Sequence, residues 1–424
     1  MTTPQLDQAF LEDFATLSTF GATPARGVER QAATSADGEQ RHWLAGWLAE
    51  RGFTVRYDKI GNQFGLLEAV PGAPYVLVGS HLDSQPLGGR FDGAYGVLAG
   101  AHAAWRLAQR WKAEGTRPKY NLAVVNWFNE EGCRFRPSLM GSGVLTGKFD
   151  LEATLAITDD SGITVAQALA DIGTIDPDGE APEPAAYAEI HIEQGPELER
   201  EGLTIGVVDA TWAAKKFELV VRGEQSHTGS TPMEFRHDAL LGAALVIAAV
   251  RDQADRHADV PLHACVSYLT LEPNSPVTTA REVRLHVDSR CADEGVLEQA
   301  KADLFAAFAE IERRAQVKID QVAAHEWGNL AYQSEGVKLA LDVVDQLDLP
   351  RRTIMTVAGH DSTNMKDLVP TVMLFIPSVD GISHNERERT EDKDLLAGLR
   401  VLVEVVGRMA DGELDGAKPA GPGL

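Results

Sequence analysis

Two short runs that are apolar at nearly every position, Tyr75–Gly79 (YVLVG) and Leu122–Phe128 (LAVVNWF), stand on either side of an alanine-rich stretch, Tyr95–Lys112, with helical apolar spacing. A run without alternation belongs to a strand covered on both faces. Strands alternating with helices predict an open, mostly parallel α/β sheet with helices on both faces. Ligands in such sheets bind beyond the carboxyl ends of the strands. His81 and Asp83 follow the first run, and Glu130 and Glu131 follow the second. The candidate site therefore lies at that edge. Further elements are expected as a helix at Gln40–Arg51 and strands at Thr54–Tyr57 and Gln63–Leu67.

The middle of the chain has another rhythm. Strands are expected at Lys216–Arg222, Val266–Glu272, Glu282–Arg290 and Val317–His325, with helices at Asp238–Asp255 and Asp293–Arg314. This β-α-β-β-α-β order is that of a sheet with helices on one face. In the third strand Val283, Leu285 and Val287 alternate with Arg284, His286, Asp288 and Arg290, so the other face is polar and open. The α/β pattern resumes with a helix at Gly336–Leu347, a strand at Val372–Ile376 and a helix at Asp392–Ala410. The expected organisation is a catalytic domain of residues 1–212 and 329–424 with an inserted α+β domain, residues 213–328. The tail GELDGAKPAGPGL is expected to be disordered.

Charge narrows the partners. Lys and Arg number 39 against 63 Asp and Glu, a net charge of −24. Such a surface repels phosphate backbones and anionic membranes, so neither nucleic acid nor membrane is expected as a partner. The apolar stretch Ala239–Val250 falls short of the about 20 residues a bilayer requires. The acidic start, MTTPQLDQAFLEDF, lacks a signal-peptide pattern. Three scattered cysteines make neither a disulfide framework nor a thiolate site. A cytoplasmic location is the expectation these features leave.

Five glycine-rich stretches concentrate polar side chains: residues 79–96, 129–143, 191–197, 222–239 and 383–388. They supply His, Asp and Glu, the ligands of hydrolytic zinc or manganese sites. Two ions roughly 3.5–4 Å apart need a bridging carboxylate. The available set is His81, Asp92, Glu131, His191 and His384. Asp92 would bridge, His81 and His191 would hold one ion, and Glu131 and His384 the other. Asp83 could fix the His81 tautomer, and Glu130 is placed to accept a proton from water. A structural histidine after a strand and a solvated Glu-Glu turn are the plain alternatives. On spacing alone the two readings stand side by side.

Taken together, GSHLDSQPLGGRFDGAYGVLAG, NEEGCRFRPSLMGSGVLTG, HIEQGPELE, GEQSHTGSTPM with Arg236-His237-Asp238-Ala239, AGHDS and SHNERE resemble the di-metal amidases of the hydantoinase/carbamoylase family. That group contains N-carbamoyl-L-amino-acid hydrolases, β-ureidopropionases and allantoate amidohydrolases, and is related to aminoacylases and zinc exopeptidases. The peptidase relatives usually carry a carboxylate where HIEQGP places His191. The resemblance implies two divalent ions per subunit, zinc first with manganese, cobalt or nickel as alternatives. It implies a small carboxylate-bearing substrate, with Gln194, His227, Arg290 and Gly359 at substrate-holding positions. It also implies a homodimer in which His227 serves the neighbouring subunit's site and polarises the scissile carbonyl, while Arg290 binds the substrate carboxylate.

Many members carry an Asn-x-x-Pro tract thirteen residues before that arginine. Here the position is Val277, and Asn274 is the candidate substitute. Cys133 is a bystander beside Glu131. The expected activity is hydrolysis of a linear C–N bond, most directly in an N-carbamoyl-L-amino acid or N-carbamoyl-β-alanine, with Glu130 as general base. Allantoate hydrolysis and aminoacylase-like cleavage are rivals. A non-catalytic binding protein on the same fold would have lost a ligand or the base, and none is missing.

Overall fold

In the computed structural model the two apolar runs become adjacent parallel strands. The structure describes residues 3–257 and 259–421. Its strands are β1 (Thr54–Tyr57), β2 (Gln63–Leu67), β3 (Tyr75–His81), β4 (Asn121–Trp127), β5 (Pro184–Ile192), β6 (Ile205–Thr211), β7 (Ala213–Arg222), β8 (Leu262–Glu272), β9 (Glu282–Cys291), β10 (Lys318–Trp327), β11 (Arg351–Thr356) and β12 (Thr371–Ile376). The chain divides into two compact units. One runs to Asp209 and resumes at Ala331, and the other is Ala210–Leu330.

The first unit is built on an eight-stranded sheet ordered β1-β2-β4-β3-β5-β12-β6-β11. Its four central strands, β4, β3, β5 and β12, are mutually parallel, and antiparallel pairings flank them at β2 and β6. Side chains alternate between two cores. Val76, Val78, Ala188, Ile190 and Leu374 pack with the helices Ala94–Glu114 and Asp392–Ala410 on one face. Leu77, Ala123, Val125, Trp127 and Tyr187 form the core of the other. The mixed α/β class read from the sequence is the class observed.

The second unit is a four-stranded antiparallel sheet ordered β10-β7-β9-β8. Phe217, Leu219, Val221, Val283, Leu285 and Val287 are buried against the helices Ala239–Arg256 and Glu294–Ala315. Asp238 caps the first of these by accepting from the Leu240 and Leu241 N–H groups, and Asp293 caps the second at Val296.

Some elements differ from the sequence reading. Helix Thr3–Leu17 and strands β5, β6 and β11 were not expected, and β5 is central to the sheet. The tail is docked rather than disordered as far as it is described. Tyr120 Oη donates to Asp415 at 2.7 Å, Leu414 is buried, and the Ala420 N–H donates to the Lys366 carbonyl at 2.9 Å. A short tail can order when a buried side chain and several partners hold it. The last three residues lie outside the described ones. Among the described residues no helix is long and apolar enough to cross a membrane.

The loop edge of the central strands is braced from below by one phenol. Trp127 Nε1 donates to Tyr187 Oη at 3.0 Å, and that hydroxyl donates to the Gly79 carbonyl at 3.1 Å. All three residues are fully buried. Tyr187→Phe leaves a buried donor and a buried acceptor without partners, at a cost of about 1–3 kcal/mol. Denaturant titration should show a lower midpoint with an unchanged slope. An unchanged midpoint would show that the indole and the carbonyl find other partners.

Candidate metal centre

The strand order decides which loops meet. β4, β3, β5 and β12 are parallel neighbours, so the segments leaving their carboxyl ends share one edge. His81 is the last residue of β3, His191 the penultimate residue of β5, Glu130 and Glu131 follow β4, and His384 lies on the loop after β12. Asp92 comes from the turn that leads from β3 into helix Ala94–Glu114.

These side chains converge on Asp92. Its Oδ1 lies 3.5 Å from His81 Nε2 and 3.0 Å from His191 Nε2. Its Oδ2 lies 3.3 Å from His384 Nε2, which is 3.5 Å from Glu131 Oε2. The donor atoms form two groups, His81–Asp92–His191 and Asp92–Glu131–His384, each within 4.8 Å. One carboxylate thus turns an oxygen to each group, as a bridging ligand does.

The imidazoles are aimed from behind. His81 Nδ1 donates to the Asp83 carbonyl at 3.0 Å and His191 Nδ1 to the Ile192 carbonyl at 2.9 Å. A carbonyl only accepts, so in the neutral rings the lone pair sits on Nε2, facing Asp92. The Gly93 N–H also points at His191 Nε2, at 2.9 Å. Gly93 has φ +61°, and a Cβ there would lie 2.4 Å from the His81 ring, so the turn admits only glycine.

The Asp83 carboxylate does something the sequence reading did not foresee. It accepts from the Glu130 and Glu131 N–H groups, each at 3.2 Å, and ties the two loops together. Glu130 is buried, with Oε2 at 3.6 Å from His81 Nε2. Gln85 donates to Glu131 from its backbone at 3.1 Å and from its side chain at 2.8 Å.

Charge in this cluster is unbalanced. Burial is the largest influence on each carboxyl and works against ionisation. Asp92 is nevertheless held well below the usual carboxylate range by His191, His384 and His81. Burial also works against the charged form of His384, yet Asp92 and Glu131 lift it to about 9. Burial and neighbouring carboxylates raise Glu130 and Glu131. Four buried or partly buried carboxylates around three imidazoles attract a cation. The donor set of imidazole nitrogens and a shared carboxylate fits two divalent ions of the zinc or manganese kind.

The other predicted residues fall in two places. Gln194 sits beside the cluster, with Nε2 donating to Asp92 Oδ2 at 2.6 Å. Gly359 is followed by buried His360, whose ring centre is 4.6 Å from that of His191. The second unit holds His227, Asn274 and Arg290. His227 Nδ1 accepts from the Gly229 N–H at 2.9 Å and the Ser230 N–H at 3.2 Å, so the neutral ring carries its hydrogen on Nε2. His227 bridges to Thr278, on the connection between β8 and β9 that also carries exposed Asn274. Arg290 lies near the far end of β9. Its Nε and Nη2 donate to Asp288 at 2.9 and 2.7 Å. From Glu282 to Arg290 the strand spans roughly 27 Å at about 3.4 Å per residue. Within one copy, then, His227 and Asn274 are not brought to Arg290.

Cys133 donates to the Ser84 carbonyl at 3.4 Å, and burial pushes its thiol far above the usual range, which makes it a poor nucleophile. Ser383, Glu388 and His360 were given no role by sequence reasoning. All three stand in quoted motifs, SHNERE and AGHDS, and that was the available signal.

Residues 77–408 match Peptidase family M20/M25/M40. A Mycolicibacterium smegmatis protein named only as a hydrolase is 56% identical over 422 residues, covering 98% of this chain and 96% of its own. The N-carbamoyl-L-amino-acid amidohydrolase of Rhizobium meliloti is 34% identical over 397 residues, with 93% and 94% covered. The allantoate amidohydrolase of Escherichia coli is 30% identical over 410 residues, with 95% and 98% covered. The crystal structure of a hydantoinase/carbamoylase family amidase from Burkholderia vietnamiensis superposes with a TM-score of 0.89 at 36% identity, covering 96% of this chain and 98% of that one. The chain therefore belongs to Peptidase family M20/M25/M40 and, within it, to the hydantoinase/carbamoylase amidases.

Proposed function

We propose that this protein hydrolyses the linear C–N bond of an N-carbamoyl-L-amino acid or N-carbamoyl-β-alanine, releasing ammonia, carbon dioxide and the amino acid. It is an amidohydrolase acting on C–N bonds other than peptide bonds, the class its amidohydrolase relatives share. The observation that carries the site is Asp92, with one oxygen turned to His81 and His191 and the other to His384.

His81, His191 and Asp92 would hold one divalent ion, and Asp92, Glu131 and His384 a second, supplying Lewis-acid polarisation and a more acidic water. Glu130 then acts on protons. Its raised affinity for one suits it to take a proton from water and return it to the leaving nitrogen. His227, with its hydrogen on Nε2, is suited to donate to a developing oxyanion. Arg290 offers a planar guanidinium, held in plane by Asp288, to the substrate carboxylate. Gln194 and Gly359 would line the same substrate, and Asn274 would stand in for the missing asparagine.

The strand length between the Asn274 connection and Arg290 exceeds any small carboxylate. His227 and Arg290 that serve one substrate therefore come from two copies, which supports a homodimer. Allantoate is the second reading, favoured by the allantoate amidohydrolase relative.

Metal-loaded protein should release ammonia from N-carbamoyl-L-amino acids, and chelator-treated protein should not. Ammonia from allantoate alone would move the assignment to the second reading. Cleavage of N-acyl amino acids without ammonia would move it to an acylase.

Glu130→Gln preserves shape but cannot accept the proton, so kcat should fall about 10²–10⁴-fold with metal content unchanged. A variant of near wild-type rate would remove Glu130 from this role.

His227→Ala and Arg290→Ala should each be nearly inactive alone and regain activity on mixing, because a mixed dimer holds one complete site. A monomeric mass at full activity would exclude the shared site.

A further inference from the structure

Glu388, the last residue of SHNERE, takes no part in the proposed reaction, yet it is 5% exposed and its carboxylate accepts from three donors. Its Oε1 accepts from the Phe91 N–H at 2.9 Å and the Asp92 N–H at 3.1 Å. Its Oε2 accepts from the Ser383 hydroxyl at 2.9 Å. Ser383 Oγ in turn accepts from Gln194 Nε2 at 3.1 Å, and the second hydrogen of that amide goes to Asp92 Oδ2 at 2.6 Å. A hydroxyl has one hydrogen, so the 3.1 Å approach of Ser383 Oγ to Asp92 Oδ2 is not a further bond. The chain of bonds therefore closes a ring from the Asp92 backbone through Glu388, Ser383 and Gln194 to the Asp92 carboxylate. The turn is shaped around the Glu388 carboxylate. A Cβ on Gly89 would lie 2.0 Å from it.

We propose that Glu388 is a positioning residue that sets Asp92 and His384 in register and so builds the Asp92–Glu131–His384 ion site without touching ion or substrate. This rests on the two-ion reading of the cluster. The two candidate sites differ in how their ligands are held. His81 and His191 stand on the central strands β3 and β5, each with Nδ1 fixed by a main-chain carbonyl. His384 stands on a loop with its side chain 49% exposed, and Glu388 four residues on bonds that loop to the Asp92 turn. Loss of Glu388 should therefore loosen the second site far more than the first, which shares Asp92 but has two strand-borne imidazoles.

The test is calorimetric titration of chelator-stripped full-length protein with zinc, and separately with manganese, for wild type, Glu388→Ala and Glu388→Gln, with thermal unfolding followed in parallel. Wild type should take up two ions per subunit. Glu388→Ala should keep the first affinity within a few-fold and weaken the second about 10–100-fold, the usual scale for a residue that orients a ligand. Glu388→Gln should recover most of the loss, because its amide oxygen still accepts from Phe91 and Asp92. Should Glu388→Ala fail to fold, Ser383→Ala removes another link of the ring and should show a smaller loss that falls mainly on the second ion. Two ions at wild-type affinities in Glu388→Ala, equal weakening of both, or a Gln variant no better than Ala would each overturn the proposal. Wild type taking up no ion would instead overturn the two-ion reading.

Discussion

Everything at the loop edge is arranged around one carboxylate with two oxygens facing different ways. A carboxylate that turns one oxygen to His81 and His191 and the other to His384 cannot sit on a mobile loop. The fold meets this by placing Asp92 in a turn that only glycine at 93 permits, just before a 21-residue helix packed on the sheet. The imidazoles need the same rigidity, and two of them obtain it as strand residues. The sheet is a device for bringing rigid groups from distant parts of the sequence to within a few ångströms.

The unbalanced charge follows from the same geometry. Carboxylates this close, with little water, repel one another and resist ionisation, and the histidines only partly relieve them. A cluster that leaves negative charge unsatisfied among its own side chains has a strong appetite for cations. The second unit has the opposite character. Its open sheet face carries Lys216, Asp288 and Arg290 in a row of paired charges, with Lys216 Nζ at 3.3 Å from Asp288. Paired charges of this kind orient a guanidinium without concentrating charge.

Much of this was legible in the sequence, for a physical reason. β3, β4 and the alternating β9 bury or expose side chains in patterns that local sequence must carry. β5 was not legible. It begins at Pro184, is built from small alanines, and carries Glu189 in the middle of a buried sheet. That charge is tolerated because Ser80 Oγ donates to it at 2.7 Å and the Ser362 N–H at 2.9 Å, partners that no local window contains. The clustered His, Asp and Glu were legible as residue types crowded by glycines, and the family resemblance sorted them into two groups. The work of Asp83 and Glu388 was not, because both act by accepting from backbone N–H groups, and every residue but proline offers one. The docked tail was missed for the same reason: its composition is that of a loop, and its order comes from partners far away in sequence.

The main-chain origin of the His81 and His191 orientations has an evolutionary consequence. In many metalloenzymes the group behind a histidine ligand is a side chain, and one substitution there retunes the ligand. Here the groups behind are the carbonyls of Asp83 and Ile192, which no single substitution removes. The aim of these two imidazoles is insulated from stepwise variation. Single substitutions have more purchase where side chains hold the geometry, around Asp92, Glu131 and His384, than at the two strand-borne imidazoles.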